Sequence, residues 1–218
     1  MLRLNTKIFL DDTRETWLEL YQIEDPMSGY TKDFTKYWAL KPFEKGWVKV
    51  LNKATSQYVD KQIYRSYENY LHTPAFDPTT KKSFMFNGAG FKELPAEYQP
   101  FYEELLTLTP TYNQVVVNYY QDGTEFIEPH SDCTAKFIEP TSSIAIITLN
   151  ESHPRFMQFE ARSPEDPSFE LSLENGSVLV MGGRFQQKYR HGIAPEPDNG
   201  SKRISITVRQ MKVQRDAI

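Results

Sequence analysis

The chain is predicted to be an α+β protein, mainly β, and three observations carry that prediction. From Asn113 onward, short runs of β-type residues are separated by Gly, Pro, Asn and Asp. One of those runs, 203–209, alternates between aliphatic and polar side chains, and 115–120 likewise sets Asn118 and Tyr120 on one face, the mark of a strand with two different faces. The first ~110 residues lack this texture and read as mixed structure with helical segments.

The first helix is expected to start near Asp11–Asp12, whose charges suit a helix N-terminus, and to run through Trp17 and Leu20. An aromatic, Lys-rich stretch follows, Tyr37-Trp38 to Phe43 and Trp47. It reads either as a single-strand platform of rings and positive charge or as core aromatics with snorkelling lysines. A second helix is expected from Pro95 to Leu106, with Pro opening the first turn and Tyr98, Tyr102 and Leu105 on one face. The β runs then follow at 115–120, 143–149, 155–161, 168–173, 177–182, 187–193 and 203–210. Seven such strands suggest a sandwich or jelly roll, whose open mouth offers rigid strands on which to mount ligands. Residues 1–218 are expected to form a single domain, with 1–112 as cover and recognition region and 113–212 as the β core.

Composition narrows the setting. No apolar stretch approaches a membrane span, and the N-terminus reaches acidic residues before a signal-peptide core could form. The single cysteine, Cys133, cannot make an internal disulfide. An intracellular monomer, cytoplasmic or nuclear rather than secreted or membrane-bound, is therefore expected. The net charge of −4 argues against indiscriminate coating of nucleic acid. Between Lys32 and Lys92, however, eleven Lys/Arg face five Asp/Glu, which is either a basic binding face or a solvated surface.

The chemistry concentrates in the last third. His130 and Asp132 form an H-x-D pair, and His191 stands on a separate strand. Positions two apart on a strand point the same way, so His130 and Asp132 project together and His191 can complete a triangle around a metal. Taken alone, His191 reads as a hydrogen-bonded core histidine, and the metal reading gains its strength from the arginines that follow. Two imidazoles and one carboxylate are the set that holds Fe(II) on one face and leaves open positions. In the run 203–209, Ile204, Ile206 and Val208 take one face, while Arg203, Ser205, Thr207 and Arg209 take the other. Buried, those guanidinium groups need an anion; otherwise the face is solvent-exposed. Asn118 and Tyr120 share a face of 115–120 and bring an amide and a phenol suited to carboxylate oxygens.

The order N-x-Y, H-x-D, H, R-x-S-x-T-x-R resembles the AlkB family of Fe(II)/2-oxoglutarate-dependent dioxygenases, over roughly Phe84 to Gln210. The resemblance implies a double-stranded β-helix (jelly roll) core with N-terminal helices and a substrate-covering lid. It implies Fe(II) on His130, Asp132 and His191, with 2-oxoglutarate and O2 as co-substrates. Arg203 and Tyr120 would take the far carboxylate of 2-oxoglutarate, and Arg209 and Asn118 the end nearer the metal, with Ser205 where the family commonly has Asn. The co-substrate would become succinate and CO2 while a C–H is hydroxylated. An N-methyl group so oxidised falls apart to formaldehyde and amine.

In the same family, the segment Phe84 to Gly88 resembles one in which an aromatic stacks on a flipped-out base. Phe86 takes that role, with Phe84 beside it, although both could equally pack a core. Arg65 resembles an entrance arginine, and Thr134 stands with Cys133 where nucleic-acid demethylases carry acidic base contacts. The expected substrate is therefore an N-alkylated nucleobase in DNA or RNA. A protein side chain or small molecule under the same chemistry, and a non-catalytic sensor, remain open.

Overall fold

The structure is a computed structural model that describes residues 1–24, 28–42, 47–52, 55–71, 92–132 and 142–211. In chain order its elements are β1 (Leu2–Phe9), β2 (Thr16–Ile23), α1 (Ser28–Lys32), α2 (Phe34–Trp38), β3 (Trp47–Asn52), β4 (Gln57–Gln62) and β5 (Ser66–Leu71). Then come α3 (Gln99–Leu106), β6 (Gln114–Tyr120), β7 (Ile127–His130), β8 (Ile144–Asn150), β9 (Arg155–Ala161) and β10 (Phe169–Leu173). The chain closes with β11 (Ser177–Gly183), α4 (Phe185–Lys188), β12 (Tyr189–Ile193) and β13 (Arg203–Arg209). Seven strands form one sheet in the order β1-β2-β11-β8-β13-β6-β5, four form a second in the order β10-β9-β12-β7, and β3 pairs with β4. Pairing within these sheets is antiparallel. The architecture is mostly β with few helices, consistent with a jelly roll.

Side-chain alternation explains the layering. On β8, Ala145, Ile147 and Leu149 join a core that includes Phe34, Tyr37, Phe101, Tyr102 and Leu105 from the helices. Ile144 and Ile146 of the same strand join the opposite core, with Met157, Phe159 and Ile193 of the smaller sheet. β11 divides likewise, Val178 and Val180 against Leu179 and Met181. The large sheet is thus packed on both faces, and each of the Val, Leu, Ile, Phe and Met side chains among these contributes roughly 1.5–3 kcal/mol by leaving water.

Where a helix was expected at residues 11–20, the structure has a β1–β2 hairpin. Asp11 does not open a helix; its Oδ1 accepts from the backbone N–H groups of Glu15 (2.9 Å) and Thr16 (3.3 Å) and so closes the turn. The segment TWLELYQI carries a strand period: Leu18 and Leu20 face one core, Trp17, Tyr21 and Ile23 the other. Pairing to β11 on its far side decides the outcome. The N-terminal part therefore adds strands β1, β2 and β5 to the large sheet.

Two boundaries also move. The second helix begins at Gln99, with Pro100 in its first turn, while Tyr98 donates to the Pro95 carbonyl in a turn before it. Residues 187–188 belong to α4, so β12 starts at Tyr189. Trp38 stacks on Phe34 at 5.6 Å and meets Tyr119 edge-on at 6.0 Å. Lys41 and Lys202 lie 5.8 and 5.7 Å from its ring, so Trp38 is a core aromatic with lysines over it, and its ring is not a free platform. No helix among the described residues is long and apolar enough to cross a membrane.

Candidate metal and co-substrate site

β7 and β12 are antiparallel neighbours in the smaller sheet, and their register sets His191 directly opposite His130. The two imidazole centroids are 4.6 Å apart. Close approach depends on Gly192, where an added Cβ would lie 2.7 Å from the Ile127 carbonyl oxygen and 2.9 Å from Pro129 N.

Asp132 arrives differently from what strand geometry suggests. β7 ends at His130, so Asp132 lies beyond the strand and needs another support. Its backbone N–H donates to Gln186 Oε1 of α4 at 3.0 Å. Gln186 is buried and its Nε2 donates to Met181 Sδ at 3.6 Å. The intervening Ser131 hydroxyl donates to the Tyr189 carbonyl (3.0 Å) and accepts from Arg162 (2.8 Å). The outcome is convergence. Asp132 Oδ1 is 3.3 Å from His130 Nε2, and Oδ2 is 3.8 Å from His191 Nε2. The three potential ligand atoms lie within 4.8 Å of one another.

Protonation favours a cation at this point. His130 Nδ1 donates to the Glu128 carbonyl at 2.9 Å, which orients the ring and turns Nε2 toward Asp132. Burial, together with His130 and Arg209, pushes His191 down to about 3 against the opposing pull of Asp132, so its imidazole is neutral. Burial alone would raise the Asp132 carboxyl. The Arg209 guanidinium and the two imidazoles outweigh it and hold the group well below the usual carboxylate range. A neutral His191 imidazole, the His130 ring with its Nε2 turned to the same point and one ionised carboxylate fit Fe(II).

The arginine face lies behind this triangle. β13 is an inner strand between β8 and β6, so the exposed-edge alternative does not apply. Arg209 Nη1 is 3.3 Å from Asp132 Oδ1. At the other end of the strand, about 20 Å along the backbone, Arg203 is 1% exposed. Its Nη2 donates to Thr148 Oγ1 at 3.1 Å, and its guanidinium stands 5.2 Å from the Tyr120 ring. Burial lowers the Arg203 pKa, with Tyr120 opposing. Nε and Nη1 of Arg203 are buried and make no hydrogen bond of good geometry among the described residues. Buried donors left so are costly, and an anion's oxygens would satisfy them. Between the two arginines, Ser205 faces Asn118 across the β13–β6 ladder. Asn118 Nδ2 donates to Ser205 Oγ at 3.4 Å, and Asn118 Oδ1 accepts from Arg65 Nε at 2.7 Å.

The structure thus sets His130, Asp132, His191 and Arg209 at one end of β13, Ser205, Asn118 and Arg65 at its middle, and Arg203 with Tyr120 at the other end. Phe84, Phe86, Cys133 and Thr134 lie outside the described residues. Sequence reasoning missed Gln186, whose contact spans 54 positions and leaves no local pattern. It also missed Arg155, which is fully buried. Arg155 donates to the carbonyls of Asp122, Glu125 and Ala194 and pairs with Glu196 at 3.3 Å, tying the loops on either side of β7 and β12. Its signal was present: Arg155, Met157 and Phe159 occupy one strand face, a charge in phase with the core.

Comparison with known proteins matches this geometry. The model of the 2OG-Fe(II) oxygenase superfamily matches residues 45–209, and the chain belongs to that superfamily. Within it, the similarity is to AlkB proteins. The chain is 28% identical over 154 residues to "Alpha-ketoglutarate-dependent dioxygenase AlkB" of Escherichia coli K12, covering 66% of this chain and 64% of that protein. It is 24% identical over 109 residues to "Alpha-ketoglutarate-dependent dioxygenase alkB homolog 3" of Rattus norvegicus, covering 45% of this chain and 35% of that one. The chain therefore spans about a third of the alkB homolog 3 protein and less than two thirds of AlkB. The solved structure of OsALKBH1 shares the fold with a TM-score of 0.51 at 15% identity, over 88% of this chain and 96% of that one. The superfamily's cofactors are Fe(II) and 2-oxoglutarate with O2, and the donor set found here suits them.

Proposed function

We propose that this protein is an Fe(II)- and 2-oxoglutarate-dependent dioxygenase that oxidatively demethylates N-alkylated nucleobases in DNA or RNA, on a double-stranded β-helix core covered by the N-terminal region. The observation that carries the chemistry is the triangle of His130, Asp132 and His191 with Arg209 beside it and the under-satisfied Arg203 along the same strand. His130, Asp132 and His191 hold the iron. Arg203 and Tyr120 receive the far carboxylate of 2-oxoglutarate, Arg209 and Asn118 the end nearer the metal with Ser205 beside Asn118, and Arg209 also steadies Asp132. When bound, the iron lets 2-oxoglutarate and O2 convert to succinate and CO2 while one oxygen atom enters a substrate C–H bond. An N–CH3 group becomes N–CH2OH, whose C–N bond breaks to give formaldehyde and N–H.

The substrate class rests on three supports. Relatives carry AlkB names, Arg65 reaches the site through Asn118, and the stretch from Lys32 to Lys92 is basic. Phe84, Phe86 and Thr134 complete the proposed base pocket. The test is formaldehyde release from oligonucleotides carrying N-methylated bases, supplied with Fe(II) and 2-oxoglutarate. No release from any such base would overturn the nucleobase reading.

One observation favours the same chemistry on a protein side chain or small molecule: in a chain of net charge −4, Cys133 and Thr134 follow Asp132 where the nucleic-acid demethylases it resembles carry acidic base contacts. Succinate formation with methylated peptides and none with oligonucleotides would select it.

A further inference from the structure

We infer that Tyr64 and Phe126 form a stacking platform for the nucleotide next to the one held at the metal, an inference that rests on the nucleic-acid reading above. Their rings are parallel within 18° and 4.4 Å apart. Phe126 is half-buried, whereas Tyr64 leaves 46% of its surface exposed. A large ring held flat by a partner beneath it and open above is a surface already organised for another planar group.

Position distinguishes this ring from the other exposed ones. Among the described residues, the exposed large aromatics are Phe9, Tyr30, Tyr64 and Phe156. Phe9 lies under Lys7 and Arg14 at the β1–β2 hairpin, and Tyr30 rests edge-on against Phe101. Phe156 is on the smaller sheet, with its backbone tied to Glu196. Tyr64 alone is followed by a residue bonded into the site, Arg65, whose Nε meets Asn118 at 2.7 Å. Phe126 directly precedes β7, so its backbone lies roughly 13 Å from His130 along one extended strand. The platform is therefore fixed to the site from two sides, through Arg65, which precedes β5, and through the metal-bearing strand.

Chemistry selects the occupant. No carboxylate among the described residues pairs with Arg65, the next residue in the chain after Tyr64, so its positive charge is not neutralised by a carboxylate there. An aromatic face with an adjacent cation is what a base and its phosphate require, and stacking tolerates any base because each has a π-face. The platform predicts engagement of single-stranded or locally opened substrate, with little preference for the neighbouring base.

The experiment uses the full chain loaded with Mn(II), which binds as Fe(II) does without turnover, and 2-oxoglutarate. Fluorescein-labelled single-stranded 11-mers carry 1-methyladenine, 3-methylcytosine or an unmodified base at the centre, with each neighbour either intact or replaced by an abasic residue. For one neighbour, the abasic replacement is expected to weaken wild-type binding about 10-fold. Tyr64→Ala should lose the same factor on the intact oligonucleotide and nothing more on the abasic one, and Tyr64→Phe should restore affinity. Independent, multiplying losses from Tyr64→Ala and from the abasic replacement would overturn the platform while leaving the nucleic-acid reading standing. Failure of the wild type to bind any of these oligonucleotides would overturn both.

Discussion

The backbone N–H of Asp132 donates to the side-chain oxygen of Gln186 at 3.0 Å, and this bond stands in for the strand that ends two residues earlier. α4, which carries Gln186, is braced from the hairpin turn by Lys188 on Asp11 and Arg184 on Glu15. Gln186→Leu should therefore leave the fold intact and weaken metal binding about 10-fold, the usual cost of losing an outer support of a ligand. Titration with Co(II) or Mn(II), followed by absorption or calorimetry, measures this. Unchanged affinity would mean that Ser131 and its contacts suffice.

Arg203 offers a different signature, because its buried charge is only partly satisfied: Nη2 reaches Thr148, while Nε and Nη1 make no hydrogen bond of good geometry among the described residues. Arg203→Met should leave the melting temperature of the co-substrate-free protein unchanged or raised, since an under-satisfied buried charge is removed. It should also abolish the stabilisation that 2-oxoglutarate gives the metal-loaded protein. Thermal shift with and without 2-oxoglutarate separates the two effects. A variant that melts early but keeps its co-substrate shift would assign Arg203 to the core alone.

Much of this was readable in advance, for a physical reason. From residue 113 on, strands are packed on one or both faces, and burial imposes the period that a sequence displays: all seven runs became strands, six of them within one residue at each end. The site face of β13 could be read from Arg203, Ser205 and Arg209 for the same reason. β1 could not, because seven of its eight residues are exposed and no pattern is required of them. β2 was misread since Asp11 and Asp12 imitate a helix start, although Thr16 to Ile23 alternate. Asp132 projects toward both imidazoles as expected, yet for a reason that only the folded chain reveals, its bond to Gln186.

His191 gives the metal-free protein an acid-labile site. Its imidazole has an ordinary value of 6.5 and is pushed down to about 3 in the fold, chiefly by burial. Between those values the unfolded chain binds a proton that the folded chain refuses. Stability is then full above about pH 6.5 and falls by about 1.4 kcal/mol per unit as pH drops toward 3. Asp132, also held low, adds to the loss below about pH 4. Urea midpoints of the metal-free protein from pH 7 to 4.5 should decline, and His191→Gln should flatten that slope. Equal slopes in both proteins would place the acid sensitivity elsewhere.

Gly192 tests whether strand spacing itself sets the metal geometry. A methyl group there would meet backbone of β7 on two sides, the Ile127 carbonyl at 2.7 Å and Pro129 N at 2.9 Å. Backbone cannot rotate away as a side chain can, so β7 and β12 must separate, and with them His130 and His191. Gly192→Ala should cost about 1–3 kcal/mol of stability and weaken Co(II) binding by a larger factor than Gln186→Leu does, because it displaces an imidazole instead of loosening a carboxylate. Gly200→Ala is the matched control, since nothing lies within 4 Å of a Cβ at that position. If Gly192→Ala binds metal as tightly as the control, the two imidazoles do not depend on this close approach, and the pairing of β7 with β12 is not what holds the triangle together.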